Sequence, residues 1–447
     1  MIGMPGRDNG GAMLVSLTVE NWRSFKGRER FDLTASRERG GADTLAKLPS
    51  MYGTKKILPV AAIYGANASG KTNLIEALDF MKFLVVDGVA VDRPIPVDQY
   101  RLCPDMKGEP TLLEAEILIG DRIYVYGFSL TRKRVVEEHL YMRRTRSSEC
   151  VFTRSQDGWA FGGKLDTDRN RFIAAGTRDN QLFLHNAISQ NADEFRPVYD
   201  WFARRLEVVG IEAQYGAFYL MLLRDDFREF IDERLRRYGT GISHLLFRQV
   251  TRESLNVSQE YLEDCLDEIS RDGARFAQLQ VNGPAGSEIY VINMEGDEPT
   301  FQKVQLAHTD SKGTEVPFDL SQESMGTQRL VKLLPLFFEL ASDAEEGKVY
   351  VVDELDRSFH TAMTYDLIRL FLDTCDETTR KQLIFTTHDL LLMRHDDIRR
   401  DEQWITENFD NDGTKLICIG SHKGVRTDTN LLNAYQDGAF GRYPKFS

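Results

Sequence analysis

No stretch of this 447-residue chain holds the roughly twenty consecutive apolar residues that a membrane-spanning helix needs. Cysteine is scarce: five residues (103, 150, 265, 375 and 418), scattered and never spaced as CxxC. That spacing offers neither a zinc site nor a disulfide framework, and it suits a reducing, cytoplasmic compartment. Histidine is also infrequent, with eight residues and no cluster with Asn or Cys of the kind a nuclease would need. There is no internal repeat, no low-complexity tract and no long heptad run. Positive charge is also in deficit. The net charge of −13 argues against a surface that is basic throughout, though a local basic patch remains open.

What is present is a globular composition, 42% hydrophobic and 28% charged, able to bury a sizeable core. Residues 1–12 contain four Gly and no apolar segment, so they read as a flexible leader rather than a signal peptide. Leu14 to Val19 reads as a strand. Pro59 to Tyr64 is a short apolar run that ends at Gly65, the mark of a buried strand. Leu74, Ile75, Ala77, Leu78 and Met81 then share one helical face. Leu112 to Ile119 and Ile123 to Leu130 flank Gly120-Asp121 as a β-hairpin, and Val135 to Tyr141 continues the antiparallel pattern. The period from about 180 to 275 looks helical, with a hairpin at Ile289–Met294 and Phe301–Leu306. These readings predict one α/β core split in sequence. Residues 13–180 form its N-terminal part with an antiparallel sheet, 181–300 a mostly helical insert, and 301–447 its C-terminal part.

Residues Gly65, Ala66, Asn67, Ala68, Ser69, Gly70, Lys71 and Thr72 match G-x-x-x-x-G-K-[ST], the Walker A loop. The chemistry requires this order. Backbone N–H groups at a helix N-terminus cradle phosphates, Lys71 reaches the β- and γ-phosphates of ATP, and Thr72 ligates Mg²⁺. Val349 to Val352 followed by Asp353-Glu354 has the Walker B shape: Asp353 for Mg²⁺ through water, Glu354 as general base for the attacking water. Phe385 to Asp389 closes another strand with His388, placed to hydrogen-bond the γ-phosphate and sense its loss. Ser321 to Gln328 precedes a long apolar helix. Ser324 and Gly326 there fit either a plain N-cap or a second anion site.

The order Walker A, Ser-x-Gly, Asp-Glu and strand-His resembles an ABC-type ATPase head of the SMC/RecF/OLD branch. Leu17 to Phe25 is similar to that branch's opening strand and turn. A closer likeness is to the RloA/AbiL-like AAA-15/AAA-21 ATPases of prokaryotic anti-phage defence operons. It rests on Tyr124 to Phe128, Glu138 to Tyr141, Glu323 to Gln328, Asp353 to His360, and the tail Leu432 to Tyr435 with Gly438 to Gly441. The resemblance implies a P-loop NTPase head with an antiparallel β subdomain, hydrolysing ATP with Mg²⁺ to ADP and phosphate. It implies a head-to-tail homodimer or higher oligomer in which Ser324 and Gly326 act in trans, with Asp356 in the D-loop. Met325 stands where the family signature has a first Gly, which leaves fewer freely approaching backbone groups. Spacing does not fix the Q-loop glutamine; Gln99 is one candidate. Thr387 to Ser447 is too short for a Toprim domain, so the effector, such as a nuclease, is expected to be a separate protein.

Two other readings stay open. A RecF-like repair ATPase would bind DNA directly, and a non-hydrolysing scaffold would use ATP only to hold an assembly together. Arg132, Lys133, Arg134, Arg143, Arg144, Arg146, Arg204, Arg205, Arg234, Arg236 and Arg237 could line a nucleic-acid path. Interleaved acids, among them Glu137, Glu138, Asp225 and Asp226, fit a solvated mixed-charge face equally.

Overall fold

The computed structural model describes residues 11–38, 40–144, 147–211, 221–222, 224–271, 276–283, 286–295, 298–342, 347–409, 412–422 and 429–440. The chain divides into two compact units. The first comprises Met1–Ile211, Asp343–Asp356 and Thr364–Ser447; the second comprises Glu212–Ser342 and Arg357–Met363.

The first unit is built on a six-stranded sheet in the order Leu206–Val209, Val349–Val352, Gln382–Thr386, Val60–Tyr64, Gln403–Phe409, Gly413–Cys418. The first five strands run parallel and the last antiparallel. Every residue of Val60–Tyr64 and Val349–Val352 is buried, which is why these strands read as unbroken apolar runs rather than alternating ones. The helix Lys71–Val86 follows Val60–Tyr64 and buries Leu74, Leu78, Met81 and Val85 along one face.

A seven-stranded antiparallel sheet completes this unit, in the order Gly158–Phe161, Ser148–Ser155, Val135–Arg143, Arg122–Leu130, Thr111–Ile119, Ala12–Glu20, Glu29–Asp32. Ile119 pairs with Arg122, so Gly120 and Asp121 form the two-residue turn expected of the hairpin. Gln382 links the two sheets. Its side chain, 1% exposed, accepts from Leu14 N at 2.6 Å and donates to Leu14 O and Leu58 O, each at 3.0 Å. The fully buried Glu138 accepts from Phe183 N (2.6 Å) and Leu184 N (3.1 Å), so a carboxylate satisfies the first turn of the helix Phe183–Ser189. Of the expected leader 1–12, residues 1–10 lie outside the described residues, and Ala12 already belongs to the first strand.

The second unit contains a five-stranded antiparallel sheet. Ile242–Val250, Glu298–Thr309, Gly286–Glu295 and Phe276–Gly283 follow one another, and Glu315–Phe318 pairs with Glu298–Thr309. The helices Asp225–Arg237, Gln259–Arg271 and Met325–Ala341 belong to the same unit. Leu262, Leu266 and Ile269 pack with Leu279, Val281, Tyr290 and Phe301, and the Phe227 and Phe230 rings meet Phe338. Over 181–300, expected to be a mostly helical insert, strands stand beside the helices: Ile242–Val250, Phe276–Gly283 and Gly286–Glu295 lie in its second half with Gln259–Arg271. In Ile242–Val250 a register shift between Ile242 and His244 and the run Leu245-Leu246-Phe247 erase the alternation that marks a strand. The Leu279 and Val281 pair, buried two residues apart, was a legible strand signal.

Candidate nucleotide site

The loop from Gly65 to Gly70 joins a buried strand to a helix, and its two end glycines are sterically required. Gly70 has φ 105°, and a Cβ there would stand 2.5 Å from Thr414 Oγ1 and 2.7 Å from Ser24 Oγ. A Cβ on Gly65 would meet Ser69 Oγ and Thr406 Oγ1, both at 2.4 Å. Between them Ala68 adopts φ 61°, so the backbone of Ala66, Asn67, Ala68 and Ser69 curls back on itself ahead of the helix. Lys71, 6% exposed, donates to Gly65 O at 2.8 Å and Ala66 O at 3.1 Å. Burial pulls its ammonium below the ordinary lysine range, against the opposing pull of Asp353, Glu354 and Asp356.

The acidic side of the site leaves the strand Val349–Val352. Thr72 Oγ1 donates to Asp353 Oδ2 at 2.9 Å. Thr386, at the end of the neighbouring strand, donates its hydroxyl to the other Asp353 oxygen and accepts from Glu354 N at 2.7 Å. Leu355 N then bonds Thr386 O at 3.0 Å, so the turn after the strand is fastened to its neighbour at two points. Glu354 takes φ 49°, a left-handed conformation held by these bonds. His388 Nε2 lies 3.6 Å from Glu354 Oε1, an ion-pair distance rather than a hydrogen bond. The His388 N–H points to the Asp356 carboxylate, 3.2 and 3.3 Å from its two oxygens.

Lys71, Thr72, Asp353, Glu354, Asp356 and His388 are therefore brought together within the first unit. Ser324 and Gly326 belong to the second unit. Ser324 caps the helix Met325–Ala341, accepting from Thr327 N at 3.1 Å, and Met325 is 78% exposed beside it. A Cβ on Gly326 would lie 2.8 Å from Ser358 O. Glu323, just before the cap, accepts His308 Nε2 at 2.6 Å. Gln99 donates to Glu109 O, and its segment is stitched to the first turn of the chain through Arg23 N to Asp98 O at 2.8 Å. Among the basic residues, Arg143 pairs with Glu116, Arg144 with Glu149, and Arg204 with Asp200; Arg146 lies outside the described residues.

A set of hydroxyl and amide groups supports the loop from below, and no local motif marks it. Ser69 Oγ lies 2.6 Å from Thr406 Oγ1. Thr414 Oγ1 stands 2.8 Å from Ser69 O and 2.8 Å from Ser24 Oγ, and Asn73 Nδ2 donates to that same Ser24 oxygen at 2.7 Å. Trp22 Nε1 donates to Asn73 O at 2.7 Å while its ring stacks on Phe80 at 5.0 Å. Arg23 pairs with Glu76 one turn along the helix from Thr72. The turn Asn21 to Phe25 thus braces the base of the P-loop helix. In the sequence this turn carries no signal of that role beyond its likeness to a family's opening turn.

The donors suit a hard cation that shares its shell with phosphate. Thr72 Oγ1 and the Asp353 carboxylate would both offer oxygen. Among the described residues no group of three or more His, Cys, Asp or Glu could hold a metal on its own. Phosphate oxygens and water would have to complete the coordination, as Mg²⁺ prefers.

The model of the AAA_21 family, "AAA domain, putative AbiEii toxin, Type IV TA system", matches residues 60–394. The SMC head domain from Thermotoga maritima aligns with 91% of this chain and 98% of its own length at 14% identity and a TM-score of 0.36. An SmcHead bound to the C-winged helix domain of ScpA aligns with 90% of this chain and 97% of its own at 12% identity and a TM-score of 0.31. No curated protein matches the chain.

Proposed function

The chain belongs to the AAA_21 family, and from that premise we propose that it is an ABC-type ATPase subunit converting ATP and water to ADP and phosphate with Mg²⁺. The observation that carries this reading is the convergence of Lys71, Thr72, Asp353 and Glu354 on one loop-and-strand-end cluster. The N–H groups of Ala66 to Thr72 and the Lys71 ammonium would hold the phosphates. Thr72 and Asp353 would hold Mg²⁺, which supplies charge neutralisation to the phosphates when bound. Glu354 takes up the proton of the attacking water, and His388, 3.6 Å from that carboxylate, orients it.

The reading extends to a second copy of the chain. Ser324 and Gly326 at the N-terminus of a 17-residue helix would bind the terminal phosphate held by the partner's loop, and Asp356 would lie in the D-loop. ATP would then favour the closed pair because it contacts both copies, and its hydrolysis would remove that preference. Such a switch suits the sensor or scaffold of an RloA/AbiL-like anti-phage system that acts in the cytoplasm on a separate effector such as a nuclease.

Phosphate release by purified protein tests the core of this reading. The native chain should turn over ATP only with Mg²⁺, and Lys71→Ala should abolish turnover. Equal turnover by Lys71→Ala would remove the proposal. Co-purification with a neighbouring gene product, without DNA stimulation of ATPase activity, would favour the effector role over DNA repair.

A further inference from the structure

The C-terminal motif Leu432 to Phe440 takes no part in the chemistry above, yet it returns to the P-loop. The helix Leu431–Gln436 ends near it, and Tyr435 and Phe440 are buried, 8% and 2% exposed. They line a cavity of about 140 Å³. Its other walls are the loop from Ala66 to Ser69 and the strand residues from Ile405 to Asn408.

The order of the sheet gives this cavity a direction. Asp353 and Glu354 leave the strand Val349–Val352, which stands two places to one side of Val60–Tyr64. The strand that carries Ile405 to Asn408 is the neighbour on the other side. Ligands of open α/β sheets lie across the C-terminal strand ends. A nucleotide that lies across these strand ends with its terminal phosphate beside Asp353 and Lys71 would reach the cavity with its other end.

We propose that this cavity receives the base of the nucleotide, so that the C-terminal segment forms the wall of the base site. The inference rests on the nucleotide reading above. Its chemistry favours a flat aromatic ring: Tyr435 and Phe440 supply faces and edges for stacking. Asn408 is exposed at the rim, and its amide offers both a donor and an acceptor to a base edge. Nucleotide binding and docking of the C-terminal segment are then one linked equilibrium. Occupancy holds Leu431–Phe440 in place, and displacement of that segment weakens binding.

Photolabelling of the full chain with 8-azido-ATP tests this without altering the protein. The expected label falls in peptides containing 405–408 or 431–440, and ATP displaces it. A second measurement compares the affinities of Mg-ATP and Mg-tripolyphosphate, which lacks base and ribose. Tyr435→Ala should weaken ATP by roughly tenfold, the scale of one base–aromatic stack, and leave tripolyphosphate unchanged. ATP-displaced label confined to other peptides, or unchanged ATP affinity in Tyr435→Ala, would overturn the base site while leaving the phosphate loop intact. If the native chain binds neither ATP nor tripolyphosphate, the nucleotide reading itself fails and this inference fails with it.

Discussion

Thr72 Oγ1 donates to Asp353 Oδ2 at 2.9 Å, joining two residues 281 positions apart in the chain. The bond places the first turn of the P-loop helix against the end of the Val349–Val352 strand, and it gathers both proposed Mg²⁺ ligands at one point. Thr386 fixes the second Asp353 oxygen, so the carboxylate is oriented by two hydroxyls before any ligand arrives.

Asp353→Asn keeps an acceptor for Thr72 but removes the charge. The fold should survive, with a melting temperature close to native. Affinity for Mg-ATP should fall by about tenfold or more, while binding in EDTA changes little. Titration of nucleotide with and without Mg²⁺ reads this directly. An equal loss under both conditions would mean that Asp353 is structural.

Glu354→Gln retains shape and loses the proposed base. Turnover should drop by about two to four orders of magnitude, the usual contribution of a positioned general base, with ATP still bound. His388→Ala should cost less, because the imidazole stands 3.6 Å from Glu354 and its proposed role is to orient that carboxylate. Single-turnover phosphate release separates the two. Unchanged turnover in Glu354→Gln would remove Glu354 as the base, whereas assembly left intact by the loss of turnover would point to the non-hydrolysing scaffold.

Gly70→Ala sets two penalties against each other in one experiment. The backbone there is at φ 105°, and the new methyl meets Thr414 Oγ1 and Ser24 Oγ. Strain of about 1–3 kcal/mol from the backbone alone is expected. Thermal melting should show a drop, and adding Thr414→Ala should restore part of it by clearing the contact. A complete restoration would show that backbone strain is negligible.

Much of the site was legible because its parts are local. Eight consecutive residues spell the phosphate loop, and that loop calls for an apolar strand ending in acids, which Val349 to Glu354 supplies. The supporting threonines were not legible. Thr386, Thr406 and Thr414 reach the loop or Asp353 only through sheet neighbours distant in sequence, and a hydroxyl at a strand end carries no local signature. The same limit applied to the second unit. Its helices announce themselves through one apolar face, as Leu262, Leu266 and Ile269 do. The strand Ile242–Val250 is bulged and mostly half-exposed, so its pairing partner Glu298–Thr309, rather than its own pattern, defines it.

Glu402 makes the stability of the first unit depend on pH. Its side chain is fully buried, and burial with neighbouring Asp401 pushes its carboxyl from an ordinary value of 4.5 up to about 8. The Arg399 N–H bonds Oε2 at 2.8 Å and opposes the rise, but the Arg399 guanidinium is committed to Asp401 at 2.8 and 2.9 Å. The native state thus keeps the proton over a range in which the unfolded chain has lost it. Between these two values the native state binds more protons, so stability falls as pH rises. The contribution is complete below the unfolded value and gone once pH passes the folded one. Glu402→Gln, uncharged throughout, should melt close to the native chain at the acid end of the range. By pH 8.5 it should melt higher by roughly a few degrees. A gap that stays constant from pH 5 to 8.5 would show that the variant acts through packing and not through the buried charge.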